Sequence, residues 1–151
     1  MTLSSTKSRS QHLVLIDGHA LAFYCWFGSG GLSMLYDFFE ELKDVLGRLK
    51  PTYLVVTFDP PPPTFRHDLY PRYKANRPEP PEEFLDECYD LEGRLHRNGL
   101  PICKVDGFEA DDVIGTLAKQ AESEGFRTYM VTPDKDYGQL VSAQSLIYKP
   151  G

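Results

Sequence analysis

Short apolar runs that are unbroken rather than alternating limit what this chain can fold into. His12–Ile16 (HLVLI) and Tyr53–Phe58 (YLVVTF) set the pattern, and Pro101–Val105, Thr128–Thr132 and Ser145–Tyr148 are shorter candidates of the same kind. A strand with one wet face alternates apolar and polar residues, whereas an unbroken run suits a strand covered on both faces. Segments of helical spacing separate the runs. Leu32–Leu49 puts Leu32, Leu35, Tyr36, Phe39, Leu42, Leu46 and Leu49 on one stripe and stops at Lys50-Pro51. Pro80-Pro81-Glu82-Glu83 opens a helix with the face Phe84, Cys88, Leu91 and Leu95, ended by Gly99. Glu109–Glu124 carries Ala110, Val113, Ile114, Leu117, Ala118 and Ala121 on one side and closes at Gly125. A short helix is expected after Asp134-Lys135-Asp136. The alternation predicts an α/β fold: a mostly parallel, twisted sheet of about five strands with helices on both faces. Ligands of such sheets bind beyond the carboxyl ends of the strands.

The acidic residues fall at those ends. Asp17 follows the first run and Asp59 the second, Glu109, Asp111 and Asp112 open the helix after the third, and Asp134 and Asp136 follow the fourth. One aspartate after a strand usually caps a turn or helix, and acids in a first helical turn suit the macrodipole. Seven carboxylates at one sheet edge would repel strongly unless cations neutralise them. Oxygen ligands without a His or Cys partner favour Mg²⁺ or Mn²⁺ over zinc. So many suit two ions about 4 Å apart, an arrangement that serves phosphodiester hydrolysis. His12, His19, His67 and His96 are scattered and form no rival site. Gly28-Ser29-Gly30-Gly31 reads as a tight connection rather than a phosphate loop, because no Gly-Lys-Ser/Thr follows.

Thr64–Pro78 (TFRHDLYPRYKANRP) is basic and aromatic. Arg66, Arg72, Lys74 and Arg77 alternate with Phe65, Tyr70 and Tyr73, and only Asp68 opposes the charge. Cations meet phosphates and rings stack on bases, so the segment suits nucleic acid, although alone it reads equally as a solvated loop. The net charge of −6 argues against a protein that coats nucleic acid by bulk attraction. Without the seven clustered acids, however, the balance is +1. At 151 residues the chain suits one domain, 12–151, preceded by a polar tail, 1–11. No secretory signal or membrane-length apolar run is visible, and three widely spaced cysteines fit a reducing cytoplasm.

Taken together, LVLIDG (Leu13–Gly18), VVTFD (Val55–Asp59), TFRHDLYPRYKANRP, GFEADDVIGTLA (Gly107–Ala118) and TPDKDYGQLV (Thr132–Val141) resemble the 5′-nuclease domain of bacterial DNA polymerase I, in the flap endonuclease superfamily with its PIN-like fold. The resemblance runs from about His12 to the C-terminus. It implies a divalent-metal-dependent 5′→3′ exonuclease and flap endonuclease acting on DNA with a 5′ flap or 5′ end, and a polymerase domain in a longer parent chain. It implies metal-site roles for Asp17, Asp59, Glu109, Asp111, Asp112, Asp134 and Asp136, with Asp112 essential to catalysis. Thr64–Arg77 matches the family's arch, where Lys74 and Arg77 would approach the scissile phosphate and Tyr73 would stack on the displaced nucleotide.

Two departures bear on these expectations. Phe23–Ser33 is shorter than the family's usual DNA-contacting loop. The sequence stops at Gly151, before the helix-hairpin-helix-type element that grips duplex DNA and supplies further aspartates. An incomplete second ion site and weak duplex affinity are therefore expected, and the rival reading is a fragment that binds nucleic acid or a partner chain without turnover. A phosphotransfer receiver domain is a weaker third reading. It lacks the usual late lysine at a strand end and leaves the basic segment unexplained.

Overall fold

The fold was analysed in a computed structural model that describes residues 11–60, 80–142 and 144–150, without the side chains of Lys135 and Asp136. The basic, aromatic segment Thr64–Arg77 lies outside the described residues.

Five strands form one parallel sheet: β1 (His12–Asp17), β2 (Tyr53–Thr57), β3 (Ile102–Cys103), β4 (Arg127–Val131) and β5 (Ser145–Tyr148), in the order β3-β2-β1-β4-β5. Four helices accompany them: α1 (Gly18–Gly28), α2 (Met34–Leu49), α3 (Glu82–Arg97) and α4 (Ala110–Ser123), with a 3₁₀ turn at Lys135–Leu140. The expected α/β class and five-stranded parallel sheet are therefore present.

β1 is central, paired through Leu15 with Val55 of β2 and Met130 of β4. That position explains its unbroken apolar run. Val14 and Ile16 face a core built with α1, α2 and α3, while Leu15 points the other way, against Ile114 and Ala118 of α4, Met130 and Tyr137. Parallel crossovers are right-handed. The chain steps from β1 through β2 to β3 in one direction, then back past β1 to β4, so α4 covers the face opposite α1–α3. The connections diverge at the carboxyl ends of β1 and β4, the place where such sheets open a crevice.

The α3 face of Phe84, Cys88, Leu91 and Leu95 is buried as its spacing predicts. Two readings need correction. Residues 18–28 form a helix that the sequence pattern did not reveal, because GHALAFYCWFG has no polar face from which periodicity could be read. On α2 the buried stripe is Met34, Phe38, Leu42 and Val45, while the expected Leu32, Tyr36 and Leu46 are exposed. Both stripes have helical spacing, and packing against α1 selects one of them. Ser29–Gly31 closes α1 as the expected tight connection: Gly31 N–H donates to Trp26 O (2.9 Å), and Gly30 and Gly31 have positive φ.

Gly18 sets how closely α1 can start behind β1. A Cβ there would lie 2.6 Å from Phe58 Cε1 and 2.7 Å from the Thr57 carbonyl oxygen, and that backbone belongs to the sheet. Gly18→Ala should destabilise the domain by about 2 kcal/mol or more, read as a lower urea midpoint at unchanged slope.

Candidate active site

Asp17 is the last residue of β1 and the N-cap of α1, where its Oδ1 accepts from Ala20 N–H at 3.4 Å. Its position between sheet and helix leaves it only 6% exposed. Oδ2 accepts from the Tyr137 hydroxyl at 2.8 Å and from Thr132 Oγ1 at 3.5 Å. Both donors follow β4, so the carboxylate bridges the diverging connections. Thr132 Oγ1 also accepts from Asp134 N–H at 3.1 Å, which shapes the turn carrying Asp134.

Asp59 follows β2 and joins two elements. Its N–H donates to His19 Nδ1 (3.0 Å), and its Oδ1 accepts from Ala110 N–H (2.6 Å) at the start of α4. The His19 ring packs edge-on to Phe58, with centroids 5.1 Å apart. Because Nδ1 accepts the backbone N–H, it carries no proton in this arrangement. Burial lowers the His19 pKa despite the nearby Asp59 carboxylate (3.7 Å), consistent with a neutral imidazole and not an ion pair.

Glu109 is the buried N-cap residue of α4, and Asp111 and Asp112 lie in its first turn. Carboxylate oxygens of these three residues lie within 4.8 Å of one another. At an effective dielectric of about 20, each such pair of charges repels by roughly 3 kcal/mol. The positive end of α4 offsets part of that cost. Asp17 senses the same field: burial first, then the charges of Asp59 and Asp111, raise its pKa from 3.8 to about 7 against the opposing Tyr137 hydrogen bond. The Tyr137 phenol is in turn pushed far up by burial and by Asp17.

Six of the seven expected carboxylates thus have described side chains, and all six stand at the carboxyl edge of the sheet. Glu109, Asp111 and Asp112 form the tight group. Asp17 and Asp59 are held beside it by hydrogen bonds to the surrounding elements, and Asp134 is exposed on the turn after β4. The Asp136 side chain lies outside the described residues, as do Phe65, Arg66, Tyr70, Arg72, Tyr73, Lys74 and Arg77. Tyr137, Thr132 and His19 were not singled out in the sequence. Tyr137 carried a usable signal, since a tyrosine between acidic strand ends needs a partner when buried. His19 carried none, because its acceptor role depends on the approach of β2.

The model of the 5′-3′ exonuclease N-terminal resolvase-like domain matches residues 12–150. The chain belongs to this family. It is 41% identical over 140 residues to DNA polymerase I of Chloroflexus aurantiacus, covering 86% of this chain and 15% of that protein. Against DNA polymerase I of Mycobacterium bovis it is 39% identical over 148 residues, covering 91% of this chain and 16% of the other. The chain therefore spans about a sixth of the length of these relatives. In fold it is similar to bacteriophage T5 5′-exonuclease solved with bound divalent zinc ions (TM-score 0.80, 19% identity, 92% of this chain and 55% of that one). It is also similar to a T5 flap endonuclease in a pseudo-enzyme-product complex with DNA and metal ions (TM-score 0.76, 19% identity, 92% and 55%).

The raised pKa of Asp17 makes the metal-free fold sensitive to pH. The folded chain holds that proton more tightly than the unfolded chain, so its stabilising effect is complete below about pH 4 and is lost as pH rises towards 7. The loss amounts to no more than about 4 kcal/mol. Urea unfolding in EDTA should show this decline, and Asp17→Asn should flatten it. Tyr137→Phe should cost about 1–3 kcal/mol by removing the donor to Asp17, and should shift the titration of Asp17 further upward, as followed by NMR.

Proposed function

We propose that this chain is a divalent-metal-dependent 5′-nuclease domain that hydrolyses DNA phosphodiesters at 5′ ends and flaps. The observation that carries the reading is the group Glu109, Asp111 and Asp112, with carboxylate oxygens within 4.8 Å, at the N-terminus of α4. A donor set made wholly of carboxylate oxygens within 4.8 Å of one another fits a hard cation such as Mg²⁺ or Mn²⁺. Glu109, Asp111 and Asp112 would hold the ion or ions, and Asp17, Asp59, Asp134 and Asp136 complete the proposed metal site. Bound divalent ions supply Lewis-acid stabilisation of phosphate charge and activation of water near neutral pH.

The chain's own residues supply position and charge. Tyr137 and Thr132 orient the Asp17 carboxylate from one side, and Ala110 N–H orients Asp59 from the other. Lys74 and Arg77 are proposed to stabilise charge on the scissile phosphate, and Tyr73 to stack on the terminal nucleotide. Phe65, Arg66, Tyr70 and Arg72 would extend that DNA contact. The family membership of residues 12–150 supports the same activity. A polymerase domain in a longer parent chain is the proposed partner, since the DNA polymerase I relatives are about six times longer. Three free thiols fit a cytoplasmic setting, and among the described residues no helix is long and apolar enough to cross a membrane.

The 151-residue chain, incubated with 5′-flap and 5′-overhang DNA in Mg²⁺ or Mn²⁺, should release short 5′ products. EDTA should abolish this, and Asp112→Asn should slow it by at least ~10²-fold. Folded protein that cleaves none of these substrates with either metal would overturn the activity of this chain. Cleavage that appears only when the downstream sequence of a longer relative is appended would favour the rival reading, binding without turnover.

A further inference from the structure

Beside the carboxylates, a cleft of about 230 Å³ opens between α4 and the 3₁₀ turn. Asp111 and Asp112 line it from the first turn of α4, and Thr116 and Lys119 line it further along the same helix. Gln139 faces them from the 3₁₀ turn. Residues 112, 116 and 119 fall on one side of a helix, so the cleft runs lengthwise from acids to cation. Lys119 is exposed. The ion pairs among the described residues engage His19, Lys43, Arg48, Arg94 and Lys104, and not Lys119.

A cation at the far end of an acid-lined cleft has an evident complement. A nucleic-acid strand carries a negative charge at every nucleotide, so a strand with one phosphate at the metal-loaded acids presents others along the cleft. Seven residues of helix separate Asp112 from Lys119, or about 10 Å along the axis. At about 3.4 Å per nucleotide that is two to three nucleotides of a stacked strand. Side chains on a helix lean towards its N-terminus, which brings the ammonium back towards the acids. The Gln139 carboxamide adds donors opposite.

Building on the nuclease reading, we propose that this cleft seats the DNA backbone and that Lys119 is a positioning residue, neutralising a phosphate two to three nucleotides from the one being hydrolysed. Lys119 lies too far along α4 to touch the reacting phosphate, so its effect belongs in substrate affinity and in salt dependence.

The test compares wild type, Lys119→Ala, Lys119→Arg and Lys43→Ala on a 5′-overhang DNA with Mn²⁺ across a series of KCl concentrations. Lys119→Ala should raise KM several-fold with kcat within about twofold, and should make the negative slope of log(kcat/KM) against log[KCl] shallower by about 0.7–0.9. Lys119→Arg should restore both. Lys43→Ala removes another exposed positive charge, on α2 and away from the cleft, and should change neither. An unchanged salt slope in Lys119→Ala, alongside an active wild type, overturns the proposal and leaves the nuclease reading intact. A loss confined to kcat also overturns it. Should the wild type bind DNA without cleaving it, the same four proteins are compared by Kd across the KCl series, and an unchanged salt slope of log Kd in Lys119→Ala overturns the proposal. A wild type that neither binds nor cleaves DNA overturns both.

Discussion

The buried carboxylate of Asp17 is the point on which fold and site depend together. Its residue ends the central strand, begins α1, and receives the Tyr137 hydroxyl from the connection after β4. A carboxylate so placed has to be neutral, paired or metal-bound. Without a cation the burial raises its pKa to about 7, and Tyr137 can only moderate that shift. The same hydrogen bond that makes burial tolerable also fixes which way the carboxylate points.

Topology explains why the other acids gather round it. In a sheet ordered β3-β2-β1-β4-β5 every strand runs the same way, so every residue just past a strand lies at one edge. Asp59 reaches α4 from β2, and its hydrogen bond to Ala110 N–H places the first turn of that helix, with Glu109, Asp111 and Asp112, above β2 and β1. α4 thereby serves twice. Its apolar side, Ile114 and Ala118, packs on Leu15 and Met130, while its N-terminus holds the carboxylates. A shift of this helix along the sheet would disturb packing and site together.

Much of this was legible in the sequence because parallel sheets leave a strong signature. HLVLI and YLVVTF form strands with both faces covered, Tyr53 at the start of β2 excepted, and an acid after each run marks the shared edge. β5 and the face of α3 appear as their spacing predicts. What failed did so for local reasons. α1 has apolar residues all round and so gives no phase, although Phe23, Tyr24 and Phe27 remain exposed. α2 offers two competing stripes, and only the neighbouring α1 decides between them. β3 shrinks to two residues, Ile102–Cys103, at the sheet edge, where it pairs only with β2. The pairing of Tyr137 with Asp17 spans 120 residues of sequence and depends on the crossover past β1.

Charge distribution carries the last step. A net charge of −6 describes an acidic protein, yet the acids that matter to a phosphate ligand are concentrated at one sheet edge. Fields from charges separated by more than about 10 Å are largely screened at ordinary salt, so an approaching strand responds to local patches rather than to the sum. Divalent ions bound there would neutralise much of that charge, and the carboxylates that repel a phosphate in the metal-free chain would then hold the cations that attract it. DNA affinity in such a site should depend steeply on metal concentration. The acidic composition and the proposed nucleic-acid substrate are then compatible in one arrangement of residues.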